Sequence, residues 1–278
     1  NPDNYIQRAL SELKKDNKFA ALAILEEGYA KNKDAQLLLL LEEVRLQLHH
    51  LNSMENYREF YEKKQSRPDK YYKFGRRVER KLRSLLGIRA KRIVKSYSQN
   101  PRYLQVETDI RRGNYRNVVD IGCHEGHFSI CLGARNPNIQ VTGVDIASAN
   151  IEAANEINIF KNVRFILGAA EDINKLFATT PSFDFVMLFE ILEHVIDVNT
   201  VLDAAFCVLK PGGKVAITVP SAEEVDEHHD EHVRFFSDQM IHDLFGQREQ
   251  FTKQIIQHTP YPGKPNEYSH YITFLKPN

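Results

Sequence analysis

Glu190-Ile-Leu-Glu193-His194 gathers two carboxylates and an imidazole within five residues. In a helical turn, the i, i+3, i+4 spacing sets all three on one side. An imidazole there is a candidate proton acceptor, because its ordinary pKa lies near neutrality. A second polar cluster, His228-His229-Asp230-Glu231-His232, follows the apolar run KVAITVP. His194 and His232, with Glu190 beside them, are the candidate catalytic groups. Asp120-Ile-Gly122-Cys123-His124-Glu125-Gly126 offers different chemistry. Glycines that bracket a tight turn let backbone approach a ligand closely. His124 puts a β-carbon into that turn, which is tolerable if its φ stays negative. Twenty-five residues beyond Asp120, the run VTGVDIAS ends with another acid, Asp145. An acid in that place commonly takes the two hydroxyls of a ribose, so the pair suits a nucleoside ligand.

These residues need strands and helices to bring them together, and the second half of the chain supplies the pattern. The runs VVDIG, VTGVDI, VRFIL, FDFVML and KVAITV alternate with helical stretches, and KQIIQHT and YITFL close the chain. Apolar runs of this kind read as buried strands, and their alternation with helices predicts a doubly wound, mostly parallel α/β sheet of seven strands. The first fifty residues are helical in pattern: Ile6, Leu10 and Leu13, then Phe19 to Leu25, then Leu37 to Leu48. Asn17 and Asp34 are the expected caps of the second and third segments. Further helices are predicted over Tyr72 to Leu86, ending at Gly87, and over Pro101 to Arg112. Three regions follow: a small helical region over 1–51, a basic helical connection over 52–112 and an α/β domain over 113–278.

The glycine spacing separates the nucleoside readings. Asp120-x-Gly122-x-x-x-Gly126 is not G-x-G-x-x-G, and an acid precedes its first glycine. The stretch resembles motif I of the class I S-adenosylmethionine-dependent methyltransferases, D-x-G-x-G-x-G, with His124 in place of the middle glycine. Gly168-Ala169-Ala170-Glu171-Asp172, FDFVMLFEILEHVID and VLKPGGKVAITVP extend the resemblance in the family's order. It implies a Rossmann-like methyltransferase sheet with an antiparallel seventh strand, and S-adenosylmethionine as methyl donor. It further implies that Asp120, Gly122, Cys123, Gly126, Asp145, Ile146, Ala170, Glu171 and Phe189 form the donor site, with adenine against Ala170 and Glu171. E-x-x-E-H resembles a stretch of ubiquinone-pathway O-methyltransferases. In RNA 2′-O-methyltransferases a similar set holds a divalent ion, which implies Mg²⁺ or Mn²⁺ on Glu190, Glu193, His194 and His232. KFAALAILEEGYAKNKDAQLLLLLEEVRLQL resembles a tetratricopeptide repeat, but covers little more than one. Since about three repeats are needed to bury a solenoid core, these helices must pack on the α/β domain, a second subunit or another protein.

Composition narrows the rest. The 278 residues balance 37 Lys and Arg against 37 Asp and Glu, and no apolar run approaches the ~20 residues of a membrane helix. Three cysteines in apolar context, without zinc or disulfide spacing, read as reduced core thiols of a cytoplasmic protein. From Arg58 to Lys95, fifteen basic residues face four acids, with tyrosines and phenylalanines between them. That segment is either a solvated face or a surface for an anionic partner. The resemblance to class I methyltransferases further implies that this segment covers the site, with Tyr71, Tyr72, Arg76 and Arg77 as the side chains of interest. The expected reaction is O-methylation of a small molecule or a glycan. An RNA 2′-O substrate and a catalytically silent scaffold are the alternatives.

Overall fold

The computed structural model describes residues 2–15, 18–34, 87–177, 181–220, 236–257 and 268–278, together with 36, 37, 40, 41 and 44. Seven strands form one sheet: β1 (Asn117–Ile121), β2 (Gln140–Asp145), β3 (Val163–Leu167), β4 (Phe183–Phe189), β5 (Leu209–Pro220), β6 (Thr252–Gln257) and β7 (Tyr268–Leu275). Their order is β3-β2-β1-β4-β5-β7-β6. All neighbours are parallel except β7, which runs antiparallel to both β5 and β6. The strand order therefore reverses between β1 and β4. A crevice opens beyond the carboxyl ends of strands at such a point.

Strand period divides the core into two layers. Val119, Val186 and Leu188 face one side, with Val201, Leu202 and Ala205 of a helix over Val198–Val208. Val118, Phe185 and Met187 face the other, with Tyr103, Val106, Ile110, Phe128 and Leu132. Adjacent residues of β1 and β4 thus go to opposite layers, as the twofold side-chain period requires. With both faces covered, the central strands read as unbroken apolar runs. β5 departs from expectation. It begins at Leu209, and its pairing with β4 slips between Phe183↔Leu209 and Phe185↔Lys214, so Lys210–Gly213 bulge out within the strand. Cys123 and Cys131 are buried as expected, whereas Cys207 is exposed. It lies on the outer face of its amphipathic helix, so the reading of three core thiols fails there.

Leading directly into the sheet and shaping the site are α3 (Ile88–Tyr97) and α4 (Pro101–Arg112). Asn100 caps α4 by accepting from the backbone N–H of Arg102 and Tyr103 at 2.9 and 3.3 Å. Glu107 pins α4 to α5 (His127–Arg135). Its carboxylate takes both Nε and Nη2 of Arg135, Nη2 of Arg111, the hydroxyl of Tyr103 and the Asn136 amide. Burial pushes the Glu107 pKa up, but the hydrogen bonds from Arg135 and Asn136 outweigh it and hold the carboxyl below its ordinary value. Gly87, with φ +65°, stands just before α3. The helix expected over Tyr72 to Leu86 lies outside the described residues, as do Asn17 and most of the basic segment.

At the front of the chain, α1 (Pro2–Lys14) and α2 (Lys18–Asn32) pack with Leu37, Leu41 and Val44 around Ala9, Ala21, Leu22 and Leu25. Asp34 caps the following segment, accepting from the N–H of Gln36 and Leu37. Ile196 of the α/β domain joins this small core, and Lys33 lies 3.8 Å from Asp243. The helical front therefore buries its apolar face partly against its own chain. Among the described residues, no helix is long and apolar enough to cross a membrane.

Candidate functional site

A cavity of about 420 Å³ opens at the carboxyl ends of β1, β2 and β4. Asp120, Gly122, Cys123, Asp145, Ile146, Ala170, Glu171, Phe189, Glu190 and His194 all line it. Gly126 does not. It supports the turn from below, where an added β-carbon would collide with Phe165. Glu193 is also absent from the wall, and His228 to His232 lie outside the described residues, as do Tyr71, Tyr72, Arg76 and Arg77.

The turn after β1 is built from left-handed backbone: Gly122, His124 and Gly126 have φ of +79°, +51° and +71°. The condition of a negative φ at His124 is thus not met. Histidine is among the residues that enter this region more readily, although a side chain there still costs of order 1 kcal/mol. Asp145 offsets that cost. Its Oδ2 accepts the His124 N–H at 2.8 Å, while Oδ1 accepts from Ala147 N and Asn150 Nδ2, both at 3.0 Å. One carboxylate thereby ties the glycine turn to the start of the helix α6 (Ser148–Ile157).

Asp120 is fully buried at the end of β1, and Ser129 Oγ donates to its Oδ2 at 2.6 Å. Burial raises its pKa to about 6, against the opposing pull of that hydrogen bond and of Arg102. Glu171, in the single 3₁₀ turn after β3, is also pushed up by burial.

The segment after β4 departs most from expectation. Glu190 has φ +51°, and its N–H continues the sheet by donating to Thr218 O at 3.0 Å. The chain then runs through turns, so the assumed helical face never forms. Glu190 Oε1 accepts from Ser269 Oγ at 2.9 Å and pairs with Arg102 Nη1 at 3.3 Å. Glu193 turns inward to 1% exposure, with Oε1 4.0 Å from His194 Nε2. The expectation that Glu190, Glu193 and His194 converge on one ion is therefore not met. Among the described residues, no three His, Cys, Asp or Glu side chains gather in a way that could hold a metal.

Arg102 and Asn150 escaped the sequence reading. Arg102, in the first turn of α4, lies over the rings of Phe128 and Phe189 at 5.9 and 5.7 Å. Its Nη1 reaches Thr218 Oγ1 at 3.4 Å as well as Glu190. Its Nε is buried with no hydrogen-bond partner, and so is Oδ1 of Asn150. Both residues line the cavity. A buried polar atom left unmatched in a pocket wall points to a ligand group that would complete it. Tyr97 closes another side of the cavity, packed edge-on against His127. The capped helix start at Asn100-Pro101 was the available signal for Arg102; nothing local marks Asn150.

Comparison with known proteins agrees with this geometry. Residues 114–262 match the family model described as a methyltransferase domain. The ubiquinone biosynthesis O-methyltransferase of Idiomarina loihiensis is 37% identical over 101 residues, 36% of this chain and 40% of that protein. The mitochondrial ubiquinone biosynthesis O-methyltransferase of Bos taurus is 34% identical over 106 residues, 36% of this chain and 28% of that one. The chain thus matches well under half the length of either relative. Among solved structures, the plantazolicin methyltransferase BpumL in complex with a triazolic desmethylPZN analog and SAH is similar in fold. It gives a TM-score of 0.50 at 16% identity, over 72% of this chain and 98% of that one. With more than half its length under the family model and the expected seven-stranded sheet with its antiparallel seventh strand in place, the chain belongs to the methyltransferase-domain family and has a class I methyltransferase core.

Proposed function

We propose that the protein transfers a methyl group from S-adenosylmethionine to a hydroxyl oxygen of a small molecule or glycan. The observation that carries this reading is the unmatched, buried Arg102 Nε in the same cavity wall as Asp145. A nucleoside end and a carboxylate end suit those two groups, and the donor has both. The residues present fit it: Asp145 for the ribose, Ile146, Ala170 and Glu171 for adenine, and Arg102 for the α-carboxylate. Bound there, the donor supplies an electrophilic sulfonium methyl. The protein holds the acceptor near it, excludes water and takes up the hydroxyl proton. We assign that proton to the imidazole of His194, which lines the cavity. The choice of oxygen rests on the names of the relatives, which are O-methyltransferases.

The test pairs calorimetry of S-adenosylhomocysteine binding with transfer of labelled methyl to fractionated cell extract. Saturable binding and label in a hydroxyl-bearing product are expected. Because Glu190 is committed to Arg102 and Ser269, excess EDTA should leave both unchanged. Absence of binding would sink the reading, and loss of transfer in EDTA, restored by Mg²⁺ or Mn²⁺, would return the ion to the mechanism.

Asp120 sets a pH dependence. Its folded pKa of about 6 lies above the ordinary 3.8, so the folded state holds the proton more tightly than the unfolded chain. Its stabilising contribution is complete below about pH 4 and lost as the pH rises through about 6. The donor, with a sulfonium, an ammonium and one carboxylate, is favoured by the ionised form. Donor affinity should therefore fall as the pH drops through 6, while stability gains from the same protonation. Both trends should disappear in Asp120→Asn; a donor titration unchanged between pH 5 and 7 in the native protein would contradict the placement.

A further inference from the structure

Accounting for lone pairs at Asp145 leads beyond the usual arrangement in which one acid holds both ribose hydroxyls. A carboxylate has about four acceptor positions, two on each oxygen. Oδ1 already takes two N–H donors, from Ala147 and Asn150, and Oδ2 takes one from His124. One position remains, whereas two neighbouring hydroxyls bring two protons to donate. The second acceptor stands alongside. A carboxylate only accepts, so the Asn150 amide must turn its nitrogen toward Asp145 Oδ1 and its carbonyl oxygen away. That oxygen is buried without a partner, on a residue that is only 3% exposed and lines the cavity.

We infer that the ribose diol is shared: Asp145 accepts one hydroxyl and the Asn150 side-chain carbonyl accepts the other. The inference rests on the donor reading above and adds a residue that fixes the nucleoside. It also gives the Asp145–Asn150 hydrogen bond a purpose, since the bond holds two acceptors side by side before the ligand arrives.

Calorimetry with S-adenosylhomocysteine and its 2′-deoxy and 3′-deoxy counterparts tests it. The native protein should bind each deoxy compound about tenfold more weakly than the parent, as expected for one lost hydrogen bond to a buried group. Asn150→Leu should lose about the same factor for the parent. It should also become indifferent to the removal of one of the two hydroxyls, while still sensing the other. Asn150→Ala, which adds no bulk to α6, repeats the measurement if the leucine variant does not fold. A variant that binds the parent like the native protein would overturn the inference. So would one that weakens in parallel for all three ligands, since that is the signature of a merely structural amide. If the native protein binds none of the three, the donor reading fails and this inference with it.

Discussion

Asp145→Ala should lower donor affinity by about 100- to 1,000-fold and the melting temperature by roughly 5–10 °C. The loss is larger than that of a single ribose contact because the carboxylate also holds the site together. His124 N, Ala147 N and Asn150 Nδ2 all donate to it. Without it, three donors in a buried setting lose their acceptor, at about 1–3 kcal/mol for each one that water does not reach. The left-handed backbone at His124 also loses its tether. A net stability loss of about 2–3 kcal/mol corresponds to the stated shift for a domain of this size. For binding, one charge-assisted hydrogen bond at about 1.5–3 kcal/mol adds to a turn no longer preorganised. Asp145→Asn separates the two effects. It keeps the shape but turns one acceptor into a donor that must face an N–H, so affinity and melting temperature should fall between native and alanine. Calorimetry of S-adenosylhomocysteine and thermal melts read both. An alanine variant with native affinity would remove Asp145 from the donor site.

The residues that were legible in the sequence are those whose roles are set by local pattern or by burial on both faces of a sheet. Val118, Val119 and Ile121 could only be a buried strand, and the acids at the ends of β1 and β2 followed from it. Asp34 caps its segment because a short polar side chain at that place satisfies free N–H groups wherever the helix sits. What was not legible depends on partners distant in sequence. Glu190 was placed on a helical face because i, i+3, i+4 spacing is a helical signature. Its backbone instead follows Thr218 of β5, and its side chain follows Ser269 of β7 and Arg102 of α4. The sign of φ at His124 depended on an N–H···Oδ2 bond spanning 21 residues. Asn150 looks like an ordinary polar residue at a helix start until its amide is seen against Asp145.

Arg102→Met should weaken donor binding by about 100-fold with only a small loss of stability. Methionine keeps an unbranched apolar stem against Phe128 and Phe189, so the packing is largely retained. Glu190 keeps Ser269 Oγ and remains partly open to water, at 24% side-chain exposure, which limits the cost of losing its cation to about 1 kcal/mol. The binding loss is different in kind. Nη1 is already engaged by Glu190 and Thr218, so the buried Nε and its neighbouring edge of the guanidinium are what a ligand carboxylate would meet. A two-point contact of that type is worth about 2–3 kcal/mol in a partly desolvated site. Arg102→Lys restores the charge but not the fork, and should recover about tenfold at most. The decisive comparison uses S-adenosylhomocysteine and its decarboxylated analogue. The native protein should prefer the intact compound by roughly the factor lost in Arg102→Met. The methionine variant should bind the two alike. If it still prefers the carboxylate, some other cation holds that end of the donor, and Arg102 serves Glu190 alone.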